Sequence, residues 1–311
     1  MSVGRKIKFT LKWIVILVFI VVLFYYLWLL FYLTCVARTE AIKKDDYLNT
    51  LINKRALIIT AHTDDDVGMA GTLLQLAKNG WQLKHVIFNN EDQTDIKERF
   101  ANACKQIQVN ETGVFAVNIR RDLDTNKKAY WPLPFAVWDK VFDHDTVYSI
   151  LSKEILDYKP SVIFTLDDSI GGYGHPEHVL ISKVVHEICT NYKNEEIYKG
   201  GTLFSVEKIY QAVLPKKMAH KLLVDGSRVQ KSANVYLAAQ AAYSCSGMPD
   251  PEVEVEIKGL SKEKMNYIKA YNMGERKNIG KVYRYYNYFP HWIYFGIFDK
   301  EYFNVIDLRK N

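Results

Sequence analysis

Apolar and polar positions divide this chain into two regimes. From Trp13 to Ala37 no residue carries a charge, and Trp, Tyr, Phe and Leu fall on every face of a helix. About 20 such residues suffice to cross a bilayer. After Arg55 the pattern changes to short apolar runs separated by amphipathic stretches. Ala56–Ala61 is a branched apolar run that predicts a buried strand. Val67–Lys78 has the helical period, and Asn79-Gly80 ends it. The cycle then repeats. Strands are predicted at Leu83–Phe88, Val114–Val117 and Val162–Leu166, and helices at Ile96–Ile107, Thr146–Tyr158 and Val179–Cys189. Farther on, Val206–Val213 reads as a strand and Ser232–Tyr243 as a helix. Alternation of this kind predicts an α/β fold: a Rossmann-like, mostly parallel sheet with helices on both faces, preceded by one N-terminal transmembrane helix.

The organisation expected is a basic flank over residues 1–12, a membrane anchor over 13–37, a linker over 38–54 and a folded domain over 55–311. Arg5, Lys6, Lys8 and Lys12 precede the apolar run, and a mixed set of charges follows it. The positive-inside rule then leaves the N-terminus in the cytoplasm and sends the domain across the cell membrane. A cleaved signal peptide is the competing reading, but the run is long for one and has no small-x-small site.

Composition adds exclusions. The net charge is +6, yet Lys and Arg are spread along the chain, so no basic stripe points to nucleic acid. Cys35, Cys104, Cys189 and Cys245 form no CxxC pair and read as buried free thiols. A late aromatic cluster (Tyr283, Tyr285, Tyr286, Tyr288, Phe289, Trp292, Tyr294 and Phe295) reads as core or an edge hairpin, with a membrane- or sugar-facing surface as the alternative.

Two polar clusters follow directly after predicted strands. His62-Thr63-Asp64-Asp65-Asp66 offers one imidazole and three carboxylates, donors suited to zinc or another divalent ion. Taken alone it is equally an acidic helix N-cap. Gly171-Gly172-Tyr173-Gly174-His175-Pro176-Glu177-His178 sets two histidines three apart on the first turn of a helix. Alone, that is a polar helix start. Both clusters lie where the carboxyl ends of a parallel sheet gather ligands, which favours one shared site. The first strand is not followed by GxGxxG, so no nicotinamide cofactor is expected.

AHTDDD at Ala61–Asp66 resembles the AHPDDE signature of the PIG-L/LmbE-like de-N-acetylases. GGYGHPEH at Gly171–His178 resembles that family's glycine-rich turn followed by HPDH. The resemblance is good from Arg55 to Cys189 and poor beyond. It implies a zinc ion held by His62, Asp65 and His178, with Asp64 as general base. It implies that His175, with Tyr173, faces the oxyanion or the leaving amine, and that Arg99 contacts substrate. It makes 55–311 a catalytic domain that removes acetyl from an N-acetylglucosamine-type glycoconjugate, leaving a free amino sugar. The anchor suggests a lipid-linked N-acetylhexosamine conjugate. Thr63 and Asp66 depart from the motif, where Pro and Glu are usual. The alternative is a membrane-anchored carbohydrate-binding or assembly protein with a degenerate site.

Overall fold

The computed structural model describes residues 3–89, 94–122, 128–194, 204–225 and 234–309. The chain forms two compact units, Met1–Glu40 and Ala41–Asn311. The first is the helix α1 (Val3–Ala37). Its segment Thr10–Ala37 is long and apolar enough to cross a membrane, by length and composition.

The second unit is built on an eight-stranded sheet among the described residues. Its strands are β1 (Lys43–Lys44), β2 (Arg55–Ile59), β3 (Gln82–Asn89), β4 (Glu111–Ala116), β5 (Val162–Leu166), β6 (Lys208–Val213), β7 (Val253–Glu256) and β8 (Lys300–Asp307). Their order is β1-β7-β8-β6-β5-β2-β3-β4. All neighbours are parallel except β8, which runs antiparallel to both β6 and β7. Every residue of β5, and all of β2 after Arg55, is buried. Continuous apolar runs are what a strand covered on both faces requires. The expected mostly parallel α/β sheet with flanking helices is the observed one.

Helices α2 (Ala70–Lys78), α3 (Thr94–Gln106), α4 (His144–Tyr158) and α5 (Pro176–Asn194) connect the first strands. The chain leaves β2 for β3 and β4, then returns to place β5 on the other side of β2. That reversal between β2 and β5 is a topological switch point, where such sheets bind ligands.

Some elements differ from expectation. The helix expected from Val67 begins at Ala70, because Asp65–Gly68 winds into a tighter 3-10 turn. The buried N–H groups of Gly71 and Thr72, in the first turn of α2, donate to the buried carboxylate of Glu301, at 2.9 and 2.7 Å. The stretch read as a linker holds β1, paired with β7, and Tyr47, whose hydroxyl donates to Glu207 at 2.6 Å. These residues belong to the second compact unit, which spans Ala41–Asn311. The helix expected at Ser232–Tyr243 is seen over α6 (Val235–Tyr243), with residues 232–233 outside the described residues. Helices α7 (Ser261–Ala270) and α8 (Met273–Val282) follow. The aromatic tail forms no hairpin. Tyr283–Phe289 runs through turns and the rest forms helix α9 (His291–Ile297), with Tyr286, Phe289, Tyr294 and Phe295 buried and Tyr288 and Trp292 exposed. All four cysteines are free, with Cys104 and Cys189 buried.

Candidate metal centre

Beyond Ile59 the sheet bonding runs on for two residues. Thr60 N–H donates to the Val86 carbonyl and Phe88 N–H to that of Ala61, each at 3.2 Å. His62 thus emerges at the sheet's carboxyl edge. The loop after it curls back, with the His62 N–H donating to Asp65 Oδ2 at 2.7 Å.

At the end of β5 the buried Asp167 folds the second cluster. Its carboxylate accepts the N–H groups of Ser169, Ile170 and Gly172 at 3.1, 2.8 and 2.7 Å. Burial pushes its carboxyl up to about 6, against those three donors. Gly171 has φ +62, and a Cβ there would stand 2.6 Å from the Cβ of His178. Only glycine allows both the conformation and the approach. Pro176 then opens α5 and carries His178 into the site.

The two clusters meet. His62 Nδ1 lies 3.0 Å from His178 Nε2 and 3.3 Å from Asp65 Oδ2, and His178 Nε2 lies 3.0 Å from Asp65 Oδ1. Tetrahedral zinc ligands with bonds of about 2.0–2.1 Å sit roughly 3.3 Å apart. The three donors expected to hold a metal therefore have the chemistry and spacing that a divalent ion requires. His175 stands at the same cluster, since donor atoms of His62, His175 and His178 all lie within 4.8 Å.

Each imidazole is oriented from behind. His178 Nδ1 donates to the Gly171 carbonyl at 3.0 Å, which leaves Nε2 free for the cluster. His62 Nε2 meets Glu177 Oε2 at 3.0 Å, so Nδ1 is its free donor atom. Such outer partners fix the tautomer and ring angle of metal-binding histidines. The other oxygen of Glu177 lies 3.9 Å from Nη1 of the fully buried Arg120. That guanidinium also grips both oxygens of Asp122 at 2.8 Å.

The proton-transfer candidates sit around these donors. Burial, and next the charge of Asp65, raises the half-buried Asp64 carboxyl to about 7. The Glu177 N–H donates to His175 Nδ1 at 3.2 Å. Burial, then the charges of His178 and His62, hold His175 well below the usual histidine range. It is thus a neutral ring with its hydrogen on Nε2. Tyr173 packs edge-on against His178, with ring centroids 5.2 Å apart. Burial, then Asp65 and Asp64, push its hydroxyl well up, so it stays a donor.

The two departures from the motif both have partners. The Thr63 hydroxyl donates to Glu275 Oε1 at 2.7 Å. Asp66 is fully buried, accepts from the Tyr267 hydroxyl and lies 3.6 Å from His85 Nδ1. Burial raises its carboxyl to about 8. The Arg99 side chain is 33% exposed. Its guanidinium donates to Glu275 Oε2 at 3.2 Å and Asp95 Oδ2 at 3.3 Å.

Sequence reasoning gave no role to Asp167, Glu177, Arg120, Tyr267, Tyr271 or Glu275. Glu177 lay inside a quoted motif, and a carboxylate between two histidines is the signal that points to it. The others reach the site only through the fold.

Residues 57–189 match the family model described as GlcNAc-PI de-N-acetylase, PIG-L. A 1D-myo-inositol 2-acetamido-2-deoxy-alpha-D-glucopyranoside deacetylase from Thermobifida fusca is 29% identical over 127 residues, covering 40% of this chain and 42% of that protein. The chain thus spans under half of that relative's length. A second deacetylase of that name, from Catenulispora acidiphila, is 25% identical over 235 residues, covering 67% of this chain and 71% of the relative. Among solved structures, the N,N'-diacetylchitobiose deacetylase from Pyrococcus horikoshii shares the fold, with TM-score 0.51 at 14% identity over 85% of this chain and 90% of that one. Residues 57–189, which carry both clusters and Arg99, are thus the part of this chain that matches the PIG-L family of GlcNAc-PI de-N-acetylases.

Proposed function

We propose that this protein is a metal-dependent amide hydrolase that removes the acetyl group from an N-acetylglucosamine-type glycoconjugate, releasing acetate and a free amino sugar. The observation that carries this reading is the triangle of His62 Nδ1, Asp65 and His178 Nε2, with edges of 3.0–3.3 Å, beside a carboxyl raised to about 7. The substrate class rests on the family and on relatives whose names specify a 2-acetamido-2-deoxy-glucopyranoside.

In this reading His62, Asp65 and His178 hold one divalent ion, with zinc favoured by a two-His, one-carboxylate set. A bound ion of this kind supplies Lewis acidity and makes water a stronger acid. Asp64 takes the proton of the attacking water. A carboxyl near 7 can both accept that proton at neutral pH and pass it on. The Nε2–H of neutral His175 and the hydroxyl of Tyr173 donate toward the oxyanion of the tetrahedral intermediate. The leaving amine collects its proton from Asp64, which took it from the attacking water. Arg99 is a substrate-contacting residue, its guanidinium oriented by Glu275 and Asp95.

The second-class reading, a carbohydrate-binding module with a degenerate site, drew on Thr63 and Asp66. Each has a buried or half-buried partner, so neither favours loss of function. We also propose that Thr10–Ala37 anchors the protein in the cell membrane, N-terminus cytoplasmic, with the folded unit on the far side. A lipid-linked conjugate would then lie within reach. The test of the chemistry is acetate release from a panel of N-acetylglucosamine conjugates by the purified full chain. Amino-sugar product from at least one is expected, and none from any would overturn the reading.

A further inference from the structure

The loop that carries His62, Asp64 and Asp65 is held by one short stretch of the C-terminal third. The Tyr271 hydroxyl donates to the Thr63 carbonyl at 2.6 Å. The Thr63 hydroxyl donates to Glu275 at 2.7 Å. One turn before Tyr271, the Tyr267 hydroxyl donates to Asp66 and lies against the Tyr271 hydroxyl. Tyr267 is fully buried and Tyr271 is 3% exposed, so water cannot stand in for either.

The gripping stretch is itself fixed. Asn272 and Glu275 form a reciprocal capping box at the start of α8, both bonds being 3.0 Å. Arg99 adds a further bond to the same Glu275 carboxylate. From below, the Thr60 hydroxyl donates to the His62 carbonyl at 3.0 Å and meets the ring of buried His85 at 2.9 Å. The Thr63–Asp64 peptide plane is therefore pinned at its carbonyl and at the adjoining side chain. Its tilt sets where the Asp64 carboxylate points and how far His62 and Asp65 stand apart.

We propose that the α7–α8 turn is a clamp on the metal-binding loop, with Tyr271 and Glu275 as positioning residues that preset the ligand spacing. This rests on His62 and Asp65 being metal ligands. It assigns a task to residues outside the matched segment 57–189. Neither residue touches the reacting atoms; both act through the backbone and hydroxyl of Thr63.

The test is cobalt(II) titration of the full-length protein in detergent after metal removal. Visible absorption reads ligand geometry, and competition with a chelator reads affinity. Tyr271→Phe removes one hydroxyl, and Thr63→Val removes the bond to Glu275 at nearly constant volume. Both variants are expected to bind cobalt about ten- to hundredfold more weakly, the usual scale for outer-sphere partners, with a changed spectrum. Tyr158→Phe deletes a like hydroxyl-to-carbonyl bond, to Gln82 at 3.1 Å at the opposite sheet edge, and should bind as wild type. Wild-type affinity and spectrum in Thr63→Val, or in a folded Tyr271→Phe, would overturn the clamp. Wild-type protein that binds cobalt but releases no acetate would sink the hydrolase reading and leave the clamp standing. Wild-type protein that binds no cobalt would remove the clamp as well.

Discussion

The ring of His178 donates from Nδ1 to the carbonyl oxygen of Gly171 at 3.0 Å, and that bond turns Nε2 toward Asp65, also at 3.0 Å. The bond is possible because Gly171 adopts φ +62 and leaves no Cβ between the two residues. Gly171→Ala should therefore cost at least about 2 kcal/mol, combining left-handed strain with a clash against buried atoms. Thermal unfolding checks this. Wild-type stability in the variant would mean that the turn can relax without loss.

Glu177 meets His62 as Gly171 meets His178. Glu177→Gln keeps the shape but removes the charge facing His62 Nε2. Zinc affinity should fall about ten- to hundredfold. The melting temperature of metal-free protein should move much less than that of metal-loaded protein, because metal adds stability only in proportion to its binding. Calorimetric zinc titration distinguishes this from a purely structural Glu177, which would lower both melting temperatures alike.

Asp168 accepts from His186 Nδ1 at 2.7 Å. Burial works against its charge, but the hydrogen bond and charge of His186 outweigh it and hold the carboxyl below its ordinary value. A depressed carboxylate contributes stability above its unfolded pKa and loses it as the pH falls through the folded one. Asp168→Asn should cost about 1 kcal/mol near neutrality after allowance for solvent screening. The gap between variant and wild type should close in acid, below the ordinary aspartate pKa of about 3.9. Denaturant midpoints across pH test this, and a gap that persists undiminished in acid would contradict it.

These tests concern the part of the molecule that was most legible in the sequence. β2 after Arg55 and β5 apart from Thr165 are short apolar runs rich in branched residues, the pattern that suits a doubly covered strand. The residues that follow them had to lie at the ligand edge. What the sequence did not reveal is the far half of the sheet and its attachments. β7 has only four residues, and the antiparallel β8 is separated from β6 by almost ninety positions. Long-range pairing of that kind leaves no local period to read. The same limit hid Glu301, Tyr267 and Tyr271. Each looks like an ordinary residue until the fold brings Glu301 to the start of α2 and the two tyrosines to the metal loop. The aromatic tail was read by composition alone, which identifies material for a core but not the helix α9 that delivers it.

The anchor can be tested separately. The full-length protein should stay in the membrane pellet after an alkaline carbonate wash, as an uncharged span of this length requires. With sealed spheroplasts, added protease should reach the folded unit from outside. Release by carbonate would rule out a spanning helix, and protection in intact spheroplasts would reverse the orientation.

The central claim assigns proton transfer to Asp64 and metal holding to its neighbours. The most direct measurement compares acetate release by wild type and Asp64→Asn on one N-acetylglucosamine conjugate, at matched zinc content. The expected result is a fall of about a hundred- to ten-thousandfold in kcat, with zinc and conjugate binding nearly unchanged. Equal turnover in the two proteins, or acetate release by neither despite bound zinc, would contradict the account.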